Sequence, residues 1–207
     1  MRSAFGLRTK PEITQHQISE EIRQLQPHTS ITREVRRQSS ATTSASEIGV
    51  HVRMQADLSR DIPGVSSLAR DHIDGLSINK PVVEHRKNCH FSFFIPLMLQ
   101  ELEKDPKITF RVASDMSNAV TVLSQVFPGR IKLSDTVHRN RCDTIVARNT
   151  ECLRIALVEF IMLSKSSKLI LSVWSSATEL ILRLAAPGTP YIYGCRSEQG
   201  DGIWQDS

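Results

Sequence analysis

A histidine, an arginine, a few carboxylates and a serine pair carry the chemistry this sequence offers. His51 and Arg53 stand two apart in a stretch where Ile48, Val50 and Val52 alternate with Gly49, His51 and Arg53. A strand with that alternation puts His51 and Arg53 on one face, so two cationic or donor groups point together. Gly49 joins that face and leaves room for close approach to the backbone. By periodicity alone the stretch reads as a half-buried edge strand whose polar face meets water. Glu159 is the odd residue of an otherwise apolar helix from Ile155 to Leu163. A carboxylate there needs a partner within the fold or a ligand with donors. Ser175 and Ser176 follow the apolar run Lys168 to Val173, at a strand-to-helix turn whose backbone N–H groups and hydroxyls can receive an anion such as a phosphate. Asp115 follows the strand-like Lys107 to Ala113, where a strand gives way to its helix. Asp57 and Asp61 lie in an irregular loop after Met54. Either can serve as a general base, although a solvated loop acid is the commoner case.

The elements that would position these residues alternate. A capping box of Thr14 with Gln17, and Ile13 placed to staple onto Ile18, open an amphipathic helix that ends near Pro27. A second helix follows, capped by Thr29 or Ser30, with Ile31 and Val35 as its apolar edge and Arg33, Arg36 and Arg37 on a solvated side. Gln38 to Ser46 is a small, polar connection. Phe91, Phe94, Ile95, Met98, Leu99 and Leu102 fall at helical spacing, with Pro96 marking an early start or a kink. Ala119 to Val126 is a helix, Arg130 to Leu133 a strand, Ala177 to Leu184 a helix and Pro190 to Tyr193 a last short strand. Such alternation implies an α/β domain whose parallel sheet is covered by helices on both faces, with ligands bound beyond the carboxyl ends of its strands. His51 with Arg53, Asp115, and Ser175 with Ser176 all lie at or near such ends. Neither GxGxxG nor GxxxxGK[ST] is present, so the usual dinucleotide fingerprint and the P-loop are excluded.

Composition narrows the class. The 207 residues, 40% of them hydrophobic, suffice for one full core plus an appendage. Residues 1–46 read as a helical N-terminal extension and linker, 47–194 as the α/β domain, and 195–207 as a frayed tail. The formal charge of +4 suits a phosphate-bearing ligand, but the basic residues are scattered and only 5% are aromatic, which argues against nucleic acid as a partner. No apolar run reaches the ~18 residues of a membrane span, and Met1 to Gln15 lacks the apolar core of a signal peptide. Cys89, Cys142, Cys152 and Cys195 form no CxxC pair and allow three connectivities. His85, Cys89 and His90 match no closed zinc site, so a surface helix start is the reading there.

Three segments taken in order resemble a family. Ile48 to Arg53 (IGVHVR), Phe110 to Asp115 (FRVASD), and Ala156 to Ser164 (ALVEFIMLS) with Ser175-Ser176 are similar to the motifs of GDP-fucose-dependent fucosyltransferases, the nodulation, core and protein O-fucosyltransferase group. The likeness runs from Glu47 to Ala186. It implies a Rossmann-like domain, the C-terminal, donor-binding lobe of the two-lobed GT-B arrangement. It further implies transfer of fucose from GDP-fucose, or of another sugar from its GDP donor, to a glycan or protein hydroxyl by an inverting displacement. No cofactor or metal is implied. In that family's pattern Arg53 binds the β-phosphate and stabilises the departing diphosphate, His51 and Glu159 hold the guanosine, Ser175 and Ser176 contact phosphate, and Asp115 lies beside the nucleotide. Asp57 is the counterpart, displaced by one position, of the family's Thr-Asp, and Met54 stands where a second basic residue is frequent. With only Met1 to Ser46 ahead of the motif, the expectation is a donor lobe without its acceptor-shaping partner. The alternatives are a nucleotide-binding domain without catalysis and an α/β interaction domain. The resemblance implies the Golgi or ER lumen if the chain is a piece of a eukaryotic enzyme, and the cytoplasm otherwise.

Overall fold

The structure, a computed structural model, describes residues 14–40, 46–53, 88–133, 150–173, 175–197 and 200–203. Asp57, Asp61, His85 and the staple residue Ile13 lie outside the described residues. Five parallel strands form the sheet: β1 (Glu47–Val52), β2 (Thr109–Ser114), β3 (Ile131–Lys132), β4 (Lys168–Leu171) and β5 (Tyr191–Tyr193), in the order β3-β2-β1-β4-β5. β1 is therefore the central strand, not an edge. The expectation of a wet polar face fails because both neighbours of β1 and a helix cover it, and all of its residues beyond Glu47 are buried.

Residues of even number in β1 point to one face and those of odd number to the other, as the two-residue period requires. On the first face Ile48, Val50, Val52, Phe110, Val112 and Ile170 pack under α3 (Phe94–Lys104) and α4 (Ser117–Val126), through Phe94, Leu97, Met98, Ala119, Val120 and Leu123. On the second, Ala113, Leu169 and Leu171 pack under α5 (Thr150–Ser164) and α6 (Ser176–Leu184), through Leu163, Ile181 and, just beyond α6, Ala185. This face also carries charge. Arg111, buried, makes a two-point ion pair with Glu47 at 2.7 and 3.2 Å, and Lys132 joins the same carboxylate at 3.2 Å. A buried guanidinium is tolerated only with such a partner.

The N-terminal helices, α1 (Gln15–Gln24) and α2 (Thr29–Ser40), lie outside α6 and α5 respectively. Thr14 and Gln17 form the capping box read from sequence, with the Thr14 hydroxyl accepting from the Gln17 N–H. Val35 packs with Val158 and Met162 of α5. Arg23 donates to the carbonyls of Arg183 and Ala185 at the C-terminal end of α6, where a cation is favoured.

Cys89 is fully buried and forms a disulfide with Cys195 across 106 residues of sequence, and Cys152 is disulfide-bonded as well. The reading of Cys89 as a surface residue is thus corrected, although a helical segment does start there: His90 caps the turn Phe91–Phe93 that leads into α3. Cys195, taken as the start of a frayed tail, is instead buried and cross-linked, and it leads into an antiparallel pair, β6 (Arg196–Ser197) with β7 (Gly200–Ile203).

Candidate functional site

The chain proceeds from β1 outward to β2 and β3 on one side, and returns through β4 and β5 on the other. The order reverses between β1 and β4, and the crevice beyond the carboxyl ends of these two strands is where such sheets bind ligands. His51 and Arg53 arrive there from β1, Asp115 from β2, and Ser172, Ser175 and Thr178 from the connection between β4 and α6.

Arg53 follows the last residue of β1. Its Nη1 makes a 3.0 Å ion pair with Asp115 Oδ2; the arginine side chain is 27% exposed and the aspartate 10%. The guanidinium is therefore held at the rim, and its planar fork carries five N–H groups. The backbone beneath is fixed too. Arg53 N–H donates to Ser172 Oγ at 2.9 Å, and Ser172 N–H donates to the His51 carbonyl at 3.0 Å.

His51 is buried on the second face of the sheet. Its Nδ1 lies 2.9 Å from Thr178 Oγ1, and that hydroxyl donates to the Ser172 carbonyl at 2.7 Å. Burial, and to a smaller extent the Arg53 charge, lower the imidazole pKa from 6.5 to about 3. The ring is neutral across the physiological range, so of the two possibilities open in the sequence, cation or donor, His51 is the polar, uncharged group.

α6 begins at this crevice. Ser175, buried, is its N-cap and accepts from the Thr178 N–H at 3.4 Å, whereas Ser176 is exposed in the first turn. The cap uses the Thr178 amide, and the Ser175 carbonyl accepts from the Glu179 amide. The first N–H groups of an α-helix have no partner within it, and the positive end of the dipole lies with them.

Glu159 is buried on α5. α5 ends at the amino edge of the sheet, where Ser167 N–H donates to the Glu47 carbonyl and the Leu163 carbonyl abuts Gly49. The four residues from Leu163 back to Glu159 cover ~6 Å, and Gly49 to His51 spans ~6.6 Å along the strand. Glu159 is thus carried at the level of His51, and its neighbour Phe160 confirms the register by meeting the His51 ring edge-on at a centroid distance of 6.0 Å. The space at Gly49 is taken by Leu169, Ser166 and the Leu163 carbonyl, not left for a ligand.

At the carboxyl ends of these strands Arg53 pairs with Asp115, and His51 is tied through Thr178 to Ser175, while Ser176 is exposed in the first turn of α6 and Glu159 precedes Phe160, which meets the His51 ring. Sequence reasoning passed over Ser172 and Thr178, which bind the strand ends to the helix cap. The available signal was their placement, one at the end of an apolar strand and the other three residues after the capping Ser175.

No protein-family model matches the chain, and no curated protein does. Solved structures do. The NodZ α-1,6-fucosyltransferase co-crystallised with GDP matches with a TM-score of 0.51 and 16% identity, over 84% of this chain and 48% of that one. Fucosyltransferase NodZ from Bradyrhizobium matches at 0.54 and 12%, over 93% and 52%. POFUT1 in complex with GDP-fucose matches at 0.52 and 10%, over 85% and 49%. At such identities the likeness is one of fold: an α/β architecture with a parallel sheet flanked by helices, as in GT-B fucosyltransferases. The chain spans about half the length of these structures.

Proposed function

We propose that this chain is the donor-binding lobe of a glycosyltransferase that uses a GDP-activated sugar, with fucose as the favoured sugar. The observation that carries the reading is the placement of Arg53 at the switch point of the sheet, held by Asp115 and tied through Ser172 to the start of α6. A nucleoside diphosphate suits this arrangement. Arg53 addresses the β-phosphate, and the first amides of α6 with the exposed Ser176 hydroxyl address the phosphate oxygens. Glu159 offers its carboxylate to the N1–H and amino donors of guanine, and His51 faces the nucleoside as an uncharged partner. The solved structures with the same fold that are described as binding GDP or GDP-fucose favour this ligand class.

In the reaction so proposed, an acceptor hydroxyl on a glycan or protein attacks the anomeric carbon, the bond to the β-phosphate oxygen breaks, and the acceptor proton passes to a base. Asp57 is the residue of this chain we assign to that proton. Charge grows on the departing diphosphate, and preorganised donors such as Arg53 lower the barrier by stabilising it there. Binding without transfer is the second reading. It rests on the likeness being one of fold alone, at 16% and 10% identity, since one fold hosts binding and catalysis alike. The Cys89–Cys195 disulfide supports an oxidising compartment such as the secretory lumen.

Calorimetric titration of the chain with GDP, with ADP as control, tests the assignment. Selective GDP binding that Glu159→Gln weakens supports it. A folded chain that binds neither nucleotide removes it.

A further inference from the structure

The buried contacts of His51 give Thr178 a specific task. The Thr178 hydroxyl has a single proton and two lone pairs. Its oxygen stands 2.7 Å from the Ser172 carbonyl, which can only accept, so the proton must point there; otherwise two sets of lone pairs would face each other. The same oxygen stands 2.9 Å from His51 Nδ1 and has only a lone pair to offer it. Nδ1 must then carry the ring's N–H. A neutral imidazole has one such proton, which leaves the lone pair on Nε2. The arrangement is held rigidly. Thr178 N–H is bonded to the capping Ser175, while the Ser172 amide and Oγ bond the His51 carbonyl at 3.0 and 3.2 Å.

We propose that Thr178 is a positioning residue that fixes His51 as the Nδ1–H tautomer, so that Nε2 acts towards a bound ligand as a hydrogen-bond acceptor and demands an N–H or O–H donor of the nucleoside there. The ligand half of this inference rests on the donor-lobe reading; the tautomer half rests on hydrogen-bond geometry alone. It divides the site between two neighbouring groups of one strand. Arg53 takes anionic oxygens. His51 repels them, because a lone pair facing a phosphate oxygen has no proton to share. Thr178 thereby helps set the register in which a nucleoside diphosphate lies.

Long-range nitrogen–proton NMR of the ligand-free wild-type chain reads the tautomer directly. The expected spectrum shows His51 with a protonated Nδ1 and an unprotonated Nε2, unchanged from pH 8 to pH 5. A proton on Nε2, or a ring that titrates in that window, overturns the proposal whatever the chain binds. Thr178→Ser keeps the hydroxyl and should keep the tautomer; Thr178→Val removes it and should leave a mixture. In GDP titrations the valine variant should bind about tenfold more weakly than wild type, and the serine variant within about twofold, as expected for one hydrogen bond. Wild-type chain that shows the expected tautomer but binds no GDP refutes the ligand half and the donor-lobe reading while leaving the tautomer assignment standing. GDP binding that is equal in wild type and Thr178→Val overturns the positioning role. A valine variant that fails to fold leaves the decision with the wild-type spectrum and the serine variant.

Discussion

Arg53 and Asp115 leave the ends of two adjacent parallel strands and close a 3.0 Å ion pair at the carboxyl edge of the sheet. Partly exposed pairs of this kind contribute little to stability by themselves. Their value here is orientation, since Asp115 fixes one arm of the fork at this edge of the sheet. Arg53→Ala should weaken GDP binding by about 1.5–3 kcal/mol, the range for hydrogen bonds to charged groups. Arg53→Lys should recover less than half of that, because an ammonium cannot hold Asp115 and a phosphate in one planar fork. Calorimetry on the two variants decides. A lysine variant that binds as tightly as wild type would show that charge alone suffices.

His51 predicts a particular acid sensitivity. Its pKa is about 3 in the fold against 6.5 as the reference value. Between these values the unfolded chain holds a proton that the native chain does not, so stability falls as the pH falls through this window. The loss should be on the order of 2 kcal/mol at pH 5 relative to pH 8, since each pKa unit is worth about 1.4 kcal/mol. Glu101 adds to the loss only at lower pH: burial raises its pKa, but hydrogen bonds and charge from Lys104 and Lys168 more than offset this and leave it below 4.5. Urea titrations at a series of pH values, on wild type and His51→Gln, isolate the histidine. Equal slopes for the two proteins between pH 7 and pH 5 would refute the assignment.

Much of this arrangement was legible in the residues. The alternation of strands and helices foretold the parallel sheet, and Thr14 with Gln17 foretold the cap of α1, because both signals are local. What failed was long-range. A strand of alternating polar and apolar residues looks the same whether its polar face meets water or a helix, so β1 was read as an edge although Leu163 and Phe160 of α5 cover it. Whether His51 is a cation or a neutral donor stayed open because sequence shows neither its burial nor Thr178, which lies 127 positions away. The cysteine pairing was open for the same reason: four cysteines allow three connectivities, and only the folded chain brings Cys89 to Cys195.

That disulfide should matter to stability. It closes a loop with a sequence separation of 106, and loops of that length give up a large share of unfolded-state entropy when cross-linked. Both cysteines are buried against Leu171, Val173 and Ile181, so replacement by alanine also removes packing. The double variant Cys89→Ala, Cys195→Ala should lose roughly 2–5 kcal/mol. Peptide mapping without reductant should recover the linked pair from wild type. A wild-type melting temperature unmoved by reductant that is shown to cleave the bond would contradict the prediction.

Gly49 ties the packing of α5 to the site. A Cβ at this position would stand 2.8 Å from Leu169 Cδ2, 3.0 Å from Ser166 Oγ and 3.1 Å from the Leu163 carbonyl. The leucine methyl can rotate aside, but the carbonyl belongs to the last turn of α5 and yields only if the helix lifts from the sheet. Gly49→Ala should therefore cost about 1–3 kcal/mol, as overpacking of a filled core does. The same shift would carry Phe160 away from His51 and move Glu159 with it, so GDP affinity should fall as well. Gly49→Ala combined with Leu169→Val relieves the side-chain contact and leaves the carbonyl contact, and should restore only part of the stability. Full recovery in the double variant would place the conflict at Leu169 alone and detach Gly49 from the position of α5.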